Sequence, residues 1–542
     1  MIANGNGRIV TTDVLVIGGG EAALRAAIEA RRKGANVVMV SKGQIGSSGS
    51  SAISDTIHSA ILSPEDSPDI FYQDILKGGK RINRPELARA LAEDCTARVQ
   101  ELSEFGIELE FERELVTPGH SFPRRCYHKA GLGAHITRRL REYAQEIGIQ
   151  FHEKTWIVDL LNEHGLADTG PDRLPGSGDR ICGALGWANE DWIVFVAGST
   201  ILASGGMGRI YAQSDNPIDV SGETIGMAWR HGARLQDMEF VQFYPYRLVS
   251  PVNLDLYTKL FSNGAMMRNL QGERFMAGYP RKELETRDVI CYQMFKQGKV
   301  LLDISQVSDS DLKATSPRLH GLLAKGYAGE LEVQPVEHYS IGGISIDQYG
   351  KTSVKGLYAC GECTGGVHGA NRLGGGALTE SLVFGARAGF AAAEETVLQT
   401  PDFVTKIEQE LRHRKPPLFF TEEGKQATAA IRKKVQEIMW NQVGIERSAA
   451  GLAEASVQLG QLAAEAEPYL PLLDMVRAAA MVARSALERK ESRGAHQVID
   501  FPGERDEWIG NLMIEGEELS FWPLLNYAAP KRNDAQPGNL LP

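Results

Sequence analysis

The chain has 542 residues, of which 43% are hydrophobic and 23% charged, an ordinary globular composition with room for roughly two to four domains. Its net charge of −11 argues against a nucleic acid partner, since such partners need a basic surface. No apolar run is long enough to cross a bilayer, so we expect no direct membrane span. Six cysteines in so long a chain argue against a disulfide framework and favour a reducing, cytoplasmic setting.

The first elements of the chain form a βαβ unit. Residues 13–17, DVLVI, are a continuous apolar run typical of a buried parallel strand. Residues 22–33 follow as a helix closed by Gly34, and residues 36–40, NVVMV, give the second strand. This order predicts a Rossmann-like α/β fold.

The turn of this unit has the pattern G-x-G-x-x-A at Gly18, Gly20 and Ala23. The first glycine allows the tight turn, the second lets a pyrophosphate approach the helix, and the third position needs a small residue for packing. The turn therefore predicts a dinucleotide site. Ser41 and Lys42 stand where an acidic ribose partner usually follows the second strand, which argues against a simple NAD site.

The next part of the chain alternates loops with regular elements. Residues 43–60 are rich in Ser and Gly, and their composition suits either a loop passing over a cofactor or a plain flexible loop. Helices are predicted over 84–105 and 133–147, and the polar residues 163–190 resemble the turns of a β-meander. A buried strand over 193–203 completes this part.

Changes in pattern divide the chain into four stretches. Residues 1–242 and 344–400 are assigned to two parts of the dinucleotide-binding domain, and residues 243–343, where Met, Tyr and Arg become frequent, to an inserted α+β capping domain. Residues 401–542 are assigned to a C-terminal helical domain and a polar tail, which from about residue 525 is either disordered or bound to a partner. The predicted C-terminal helices are 404–414, 424–440, 448–464 and 470–489.

Residues 356–389 contain a Gly-rich loop that carries one cation, Arg372, before a helix-like run that starts at Ala377. Glycines let the backbone approach a ligand, and the helix predicted from Ala377 presents N–H groups at its start, so we interpret the segment as an anion site. A lone Arg would more often lie on a surface loop, but five glycines surround this one. Cys360 and Cys363 form a CxxC pair without a second pair, so we predict two core or loop thiols and no metal site.

Taken together, the motifs resemble the flavoprotein family of fumarate reductases, succinate dehydrogenases and L-aspartate oxidases. The chain's length and short C-terminal part are most similar to L-aspartate oxidases. The resemblance extends over about residues 10–510. The matching pieces are VIGGGEAALRAA at 16–27, TILASGGMGRIY at 200–211, SGETIGMAWRHGARLQDMEFVQFYP at 221–245, NLQGERFM at 269–276, TRDVI at 286–290, EHYSIGGI at 337–344, the segment 356–389 and ESRGAH at 491–496.

The resemblance implies a bound FAD. Some members of the family bind FAD covalently through a His in an S-H-T motif; that position is Gly49 here, and His58 lies too far along the chain, so we expect non-covalent FAD. The family's FAD contacts would fall on Gly18, Gly20, Ser41, Lys42, Glu223, Glu362, Ala377 and Leu378.

The resemblance also implies the chemistry. A hydride passes between flavin N5 and one carbon of a C–C bond, and Arg287 would deliver or remove the proton at the other carbon. A free Arg is a poor acid, so this role needs a dry site and a relay. His338 and Arg372 would bind one substrate carboxylate.

Two departures from the family affect the substrate. Tyr244 stands where dicarboxylate-using relatives carry the His of Q-F-H-P-T, and the stretch 257–264, YTKLFSNG, lacks the T-E-x-x-R-G-E-G pattern that supplies a proton relay. Tyr244 is neutral and bulky, and it would favour a hydroxyl, aromatic or shorter group. We therefore expect fumarate, succinate and aspartate to be poor substrates.

These observations predict an FAD-dependent oxidoreductase acting on a C–C bond beside a carboxylate or carbonyl. An iron–sulfur electron-transfer subunit is an expected partner, through which the protein could also associate with a membrane. Two alternatives stay open: a soluble oxidase of the L-aspartate oxidase type, and a flavin subunit that only relays electrons within a larger complex.

Overall fold

The computed structural model describes residues 7–524 apart from positions 56, 130, 167–177 and 413. The predicted tail from about residue 525 lies outside these described residues. The strands are β1 Arg8–Ile17, β2 Val37–Val40, β3 His58–Ser59, β4 Glu110–Phe111, β5 Arg125–Tyr127, β6 Gln150–His152, β7 Trp156–Asn162, β8 Ile181–Ala188, β9 Asp191–Leu202, β10 Leu235–Gln236, β11 Val241–Ser250, β12 Leu254–Asp255, β13 Met266–Arg268, β14 Val300–Asp303, β15 Glu332–Ser340, β16 Gly343–Ser345, β17 Leu357–Ala359, β18 Thr364–Gly365, β19 Gly510–Glu515 and β20 Glu518–Pro523.

Helices are distributed along the whole chain and are concentrated between residues 376 and 488. The helix predicted over 84–105 is α-helical to residue 100 and continues as a 3-10 turn to residue 105. The α-helices are α1 Glu21–Arg32, α2 Ser50–Ile53, α3 Pro68–Gly78, α4 Pro85–Gln100, α5 Gly133–Glu146, α6 Glu223–Arg230, α7 Thr258–Ser262, α8 Arg287–Gln297, α9 Asp309–Thr315, α10 Pro317–Ala324, α11 Gly376–Glu394, α12 Pro401–Leu411, α13 Glu422–Gln442, α14 Ala449–Ala466 and α15 Leu470–Glu488.

The main sheet has the order β6-β2-β1-β9-β8-β7, with β17 beside the end of β9. Strand β1 pairs in parallel with β2 and β9, which confirms the predicted βαβ unit. Strands β7, β8 and β9 form an antiparallel meander. Strand β8 lies inside the stretch interpreted as turns, so that interpretation was too broad. Strand β9 pairs with β8 through its first half and with β17 at residues 200–202.

Helix α11 packs closely on α1. A Cβ atom on Gly389 would lie 2.2 Å from the backbone oxygen of Ala26, and one on Gly385 would lie 2.9 Å from that of Ala22. Glycines on α11 therefore let the two helix backbones approach more closely than side chains would allow. This contact joins the two stretches assigned from the sequence to the dinucleotide-binding domain, which are separated by the capping residues.

The capping residues form a second antiparallel sheet, with the order β12-β11-β15-β14-β13. Its apolar side chains, from Tyr244 to Val336, form a hydrophobic cluster distinct from that of the main sheet. Mixed strands and short helices in this stretch agree with the predicted α+β capping domain. Residues 243–343 remain its proposed extent.

The C-terminal helices α12 to α15 correspond to the four predicted from the sequence. Side-chain oxygens of Thr400, Thr421 and Ser448 accept hydrogen bonds from backbone N–H groups in the first turns of α12, α13 and α14, which explains where these helices start. A β-hairpin, β19–β20, follows them and pairs with β10; this hairpin was not predicted. No helix within the described ranges combines the length and apolar character needed to cross a membrane.

A fully buried ion network lies next to the C-terminal helices. Glu491 accepts hydrogen bonds from Arg489 Nη1 at 3.0 Å and from Arg493 Nε and Nη2 at 2.7 and 2.8 Å. Arg489 Nε donates to Glu239 at 2.6 Å, and all four side chains are 0% exposed. The carboxylate of Glu491 thus compensates part of the positive charge of both Arg489 and Arg493.

This network is connected to the segment that carries Arg372. The backbone N–H of Ala495 donates to the oxygen of Ala370 at 2.9 Å, and a Cβ on Gly494 would lie 2.3 Å from the same oxygen. The ESRGAH motif therefore packs directly on the backbone two residues before Arg372.

Candidate active site

A large cleft lies where the carboxyl ends of β1, β2 and β9 meet the first turns of α1 and α11 and the capping sheet. Clefts at the carboxyl ends of parallel strands are the usual ligand sites of such sheets. With its open mouth included, the cleft holds about 2010 Å³ of empty space. Residues of the dinucleotide turn, such as Gly18 and Gly20, and residues of the capping sheet, such as Tyr244 and His338, line the same cleft.

The G-x-G-x-x-A turn forms one wall of the cleft. Gly18 has φ +142°, and a Cβ there would lie 2.0 Å from the oxygen of Ala203, so only glycine fits. Gly20 precedes α1 and has no side chain to cap it, and residues 20–22 line the cleft. Ala23 is completely buried behind the turn. This geometry fits a pyrophosphate at the helix N-terminus.

Lys42 and Glu223, predicted separately as cofactor contacts, form an ion pair at the wall of the cleft. Ser221 donates a hydrogen bond to Glu223 at 2.6 Å. Burial favours a higher pKa for Glu223, but Lys42 and these hydrogen bonds outweigh burial and hold the pKa below its ordinary value. The ionised carboxylate is suited to accept ribose hydroxyls. Ser41 lies beside them in the cleft and is largely buried.

The second predicted cofactor edge comes from the segment 356–389. Gly375, with φ +79°, precedes α11, and Ala377 and Leu378 in its first turn line the cleft. Glu362 accepts a hydrogen bond from the backbone N–H of Ser340 at 3.1 Å, and burial raises its pKa to about 7. The helix start and this carboxyl group fit the flavin and ribityl parts of FAD.

Arg372 is the predicted carboxylate anchor, and it is 5% exposed within the cleft. Its guanidinium lies 4.3 Å over the Tyr339 ring, and Nη1 is 3.5 Å from the oxygen of Leu373, whereas Nε has no hydrogen-bond partner among the described residues. Burial, followed by the charge of Arg287, lowers the pKa of Arg372 to about 10. A buried cation in this state is stabilised by an anionic ligand.

Arg287, the predicted proton-exchanging residue, begins α8 and lines the same cleft. Its Nη1 donates to Gln242 Oε1 at 3.1 Å, and its guanidinium lies 5.0 Å over the Tyr244 ring. Among the described residues it forms no ion pair with a carboxylate. Two guanidinium groups without carboxylate partners therefore face one cleft.

His338 lines the same cleft as these two cations. Its Nδ1 lies 2.7 Å from Asp215 Oδ2, and its ring stacks on Tyr244 at 4.9 Å. Burial lowers the pKa of His338, and Asp215 opposes this shift. Asp215 was not predicted; it lies 123 residues away in sequence, and no motif of the sequence marks it.

Tyr244 contributes its ring to the cleft rather than its hydroxyl. The hydroxyl donates to the backbone oxygen of Leu256 at 2.6 Å, and the residue is 6% exposed. The ring contacts both His338 and Arg287. The Tyr244 hydroxyl therefore cannot also donate a hydrogen bond to a substrate in this arrangement.

The segment that lacks the relay pattern is apolar where it packs. Phe261 is 5% exposed and stacks on Tyr246 at 4.2 Å. Tyr257 and Thr258, at the start of the same segment, line the cleft. Asp55 and Asp255 also line the cleft and were not singled out from the sequence.

Comparison with known proteins agrees with this geometry. Residues 13–378 match the family described as FAD binding domain, and residues 463–528 match fumarate reductase flavoprotein C-term. A fumarate reductase (CoM/CoB) subunit of Methanothermobacter marburgensis is 34% identical, over 93% of this chain and 96% of that protein. The L-aspartate oxidase of Halobacterium salinarum is 34% identical, over 90% of this chain and 97% of that protein.

Among solved structures, the FrdA protein of the E. coli quinol fumarate reductase superposes with a TM-score of 0.84. It is 24% identical, and the match covers 95% of this chain and 97% of that one, a likeness of fold. The α/β fold with its capping and C-terminal helical domains is thus confirmed, and FAD is the cofactor. The chain belongs to the FAD-dependent oxidoreductase family of fumarate reductases, succinate dehydrogenases and L-aspartate oxidases.

Proposed function

We propose that the protein transfers a hydride between FAD and one carbon of a C–C bond that lies next to a carboxylate or carbonyl. The observation that carries this proposal is the buried guanidinium of Arg372, which lines the cleft and whose Nε has no hydrogen-bond partner in the part of the chain that the structure describes. Because Arg287 lines the same cleft without a carboxylate partner among the described residues, an anionic ligand is the natural counter-charge.

In this proposal each residue has a separate task. Arg372 and His338 hold one carboxylate and polarise the adjacent C–C bond. Arg287, held by Gln242 and resting on the Tyr244 ring, exchanges the proton at the second carbon. FAD, when bound, supplies the hydride donor or acceptor. The proposed FAD contacts are Gly18, Gly20, Ser41, Lys42, Glu223, Glu362, Ala377 and Leu378, with Ala23 supporting the turn.

We further propose that fumarate is a poor substrate. The side chain at position 244 is a Tyr whose hydroxyl is already bonded to Leu256, so a second carboxylate would meet an aromatic ring instead of a cation. Photoreduced enzyme is therefore expected to react slowly with fumarate in a stopped-flow experiment. Rapid flavin reoxidation by fumarate would contradict this assignment of Tyr244.

Replacing Arg372 with Gln is expected to weaken carboxylate binding by about 10- to 100-fold, because a charge-assisted hydrogen bond is lost inside a buried site. The measurement is a titration of oxidised holoenzyme with crotonate, followed by the flavin absorbance. Arg234→Gln, at a guanidinium that is 37% exposed and paired with Glu515, is the control and should bind crotonate normally. Equal binding by both variants would rule out Arg372 as the anchor.

FAD is expected to be released by acid precipitation, because no nucleophile occupies the position of the covalent His. Gly49 lies there, and His58 is buried with its Nε2 2.8 Å from Glu21 Oε1. After precipitation, flavin absorbance should appear in the supernatant, and the denatured protein should show no flavin fluorescence on a gel. Flavin retained in the pellet would mean a covalent link.

For electron transfer we propose a partner protein containing iron–sulfur clusters; the similar fumarate reductase (CoM/CoB) protein is itself one subunit of an enzyme. The similarity to L-aspartate oxidase favours a second candidate, a soluble oxidase that passes electrons to O₂. Hydrogen peroxide measured during turnover in air distinguishes them. Stoichiometric peroxide supports the oxidase, whereas turnover only with an added electron carrier supports membership of a complex.

A further inference from the structure

Asp215 is held against His338 by a short stretch of chain that is fixed along β15. The backbone N–H of Asp215 donates to the backbone oxygen of Glu337 at 3.1 Å. On either side of it, Ser214 Oγ donates to Glu337 Oε2 at 2.7 Å, and Asn216 Nδ2 donates to the backbone oxygen of His338 at 3.0 Å. Three successive residues are therefore bonded to the strand that carries the histidine, and they fix the position of the Asp215 carboxylate.

This support determines which nitrogen of the His338 ring carries a hydrogen. Nδ1 lies 2.7 Å from Asp215 Oδ2, and the Asp215 side chain is 9% exposed. An ionised carboxylate has only acceptor oxygens, so Nδ1 is the donor of this hydrogen bond. A neutral imidazole has a single N–H, so Nε2 then carries only a lone pair. Nε2 has no hydrogen-bond partner among the described residues, and the ring lines the cleft.

In its neutral form His338 is therefore the wrong partner for a carboxylate. The Nε2 lone pair and the carboxylate oxygens are all acceptors, and two acceptors cannot form a hydrogen bond. Burial lowers the pKa of His338 despite the opposing charge of Asp215, and Arg287 and Arg372 add to the lowering. Since the ordinary pKa of a histidine is about 6.5, the ring of the unliganded protein is mainly neutral at neutral pH.

The other titratable groups around this ring are a tyrosine and two carboxyl groups. The Tyr244 hydroxyl donates to the backbone oxygen of Leu256, and burial raises its pKa, so it keeps its proton. Burial raises the pKa of Glu362 to about 7, and burial and the charge of Asp215 raise the pKa of Asp255. These two carboxyl groups are the competing sites for a proton in the cleft, and an experiment must separate them from the histidine.

We propose that Asp215 is a positioning residue that sets the tautomer of His338, and that binding of a substrate carboxylate at Arg372 takes up one proton from solvent on His338 Nε2. The imidazolium then donates Nδ1–H to Asp215 and Nε2–H to the carboxylate, and it adds a positive charge to the carboxylate site. The step transfers a proton and no electrons. The inference rests on the proposed function, because it assumes that Arg372 and His338 hold the same carboxylate.

Crotonate binding to oxidised holoenzyme between about pH 6 and pH 8.5 tests this inference, because crotonate itself stays ionised over that range. Since the complex holds one proton more than the free protein, Kd should increase by about tenfold per pH unit between the pKa of His338 in the free protein and its pKa in the complex. Calorimetric titrations in two buffers of different ionisation enthalpy measure the uptake directly. We expect about one proton per crotonate bound at neutral pH.

The near-isosteric variant Asp215→Asn removes the need for this proton. The Asn amide is able to donate to Nδ1, which leaves the single hydrogen of the neutral ring on Nε2, where it meets the carboxylate directly. Proton uptake should then fall below about 0.3 per crotonate, and Kd should change by less than about threefold over the same pH range. Binding itself should persist, which a merely structural role of Asp215 does not predict.

Two further variants make the result specific. Asp309→Asn also changes a carboxylate that pairs with a histidine, His320 at 3.0 Å, but Asp309 is 88% exposed and should leave the proton uptake unchanged. His338→Gln removes the titrating ring and should bind crotonate more weakly and without proton uptake. Flavin content and melting temperature confirm that each variant is folded.

The outcomes separate this inference from the proposed function. Crotonate binding that depends on Arg372 but takes up no proton in the parent protein would overturn the inference alone. Full uptake that persists in Asp215→Asn or His338→Gln would assign the proton to Glu362 or Asp255, with the same consequence. If crotonate does not perturb the flavin, or if Arg372→Gln binds it unchanged, the proposed function itself fails and the inference fails with it.

Discussion

Replacing Arg287 with Gln is expected to lower kcat by about 10²- to 10⁴-fold while FAD remains bound, the range by which a positioned proton donor accelerates a reaction. The guanidinium is fixed by Gln242 and by the Tyr244 ring, so its orientation toward the cleft does not depend on the substrate. Gln keeps part of the hydrogen bonding but cannot exchange the proton. Steady-state turnover with a reduced electron carrier measures the effect, with flavin content determined on the same sample.

Two further variants make this result specific. Arg268→Gln changes another capping-domain guanidinium, 36% exposed and paired with Asp303, and should leave kcat within about twofold. Arg287→Lys keeps the charge but not the planar donor fork, and should retain substrate binding better than kcat. A kcat for Arg287→Gln within about threefold of the parent value would favour the alternative of a protein that only relays electrons.

Replacing Glu491 with Ala is expected to reduce the free energy of unfolding by about 3–5 kcal/mol, the cost of breaking a buried ion pair by removing one partner. Glu491 is 0% exposed and accepts hydrogen bonds from both Arg489 and Arg493, which are also 0% exposed. Truncation removes the carboxylate that both buried guanidinium groups share. Equilibrium urea unfolding of the holoenzyme, followed by tryptophan fluorescence, measures the loss.

Glu504→Ala is the matched control, since Glu504 contacts the same Arg493 at 3.4 Å but is 39% exposed. Solvent screens this pair, and its removal should cost less than about 1 kcal/mol. An equal loss of unfolding free energy in the two variants would mean that burial does not determine how strongly the network stabilises the fold. The backbone of Ala495 is hydrogen-bonded to that of Ala370, two residues before Arg372. Glu491→Ala should therefore also weaken carboxylate binding at Arg372.

Local patterns were sufficient to predict much of the fold. The apolar run ending at Ile17 is typical of a buried strand, and the glycines after it are typical of a dinucleotide-binding turn. The C-terminal helices were also predictable, because residues such as Thr421 and Ser448 mark helix starts by capping them. These signals lie within a few residues of the structure that they specify.

Long-range pairings left no such local signal. Strand β8 was interpreted as turns because it contains glycines; a Cβ on Gly183 would lie 1.8 Å from Phe195 O, so the glycine serves close strand pairing. The hairpin β19–β20 and the pair Asp215–His338 depend on partners that are far away in sequence. The hydroxyl of Tyr244 is another case, since only the folded β11–β12 region brings Leu256 O to it.

The pairing of β9 with both β8 and β17 has a consequence for biosynthesis. Strand β17 begins 155 residues after β9 ends. All of the capping residues must therefore be synthesised before β17 can pair with β9 and complete the main sheet. Helix α11, which supplies the second proposed cofactor edge, emerges later still. The last strand of the main sheet therefore pairs late and with a partner far away in sequence, which predicts slow folding. Flavin is expected to bind only after about three quarters of the chain has left the ribosome.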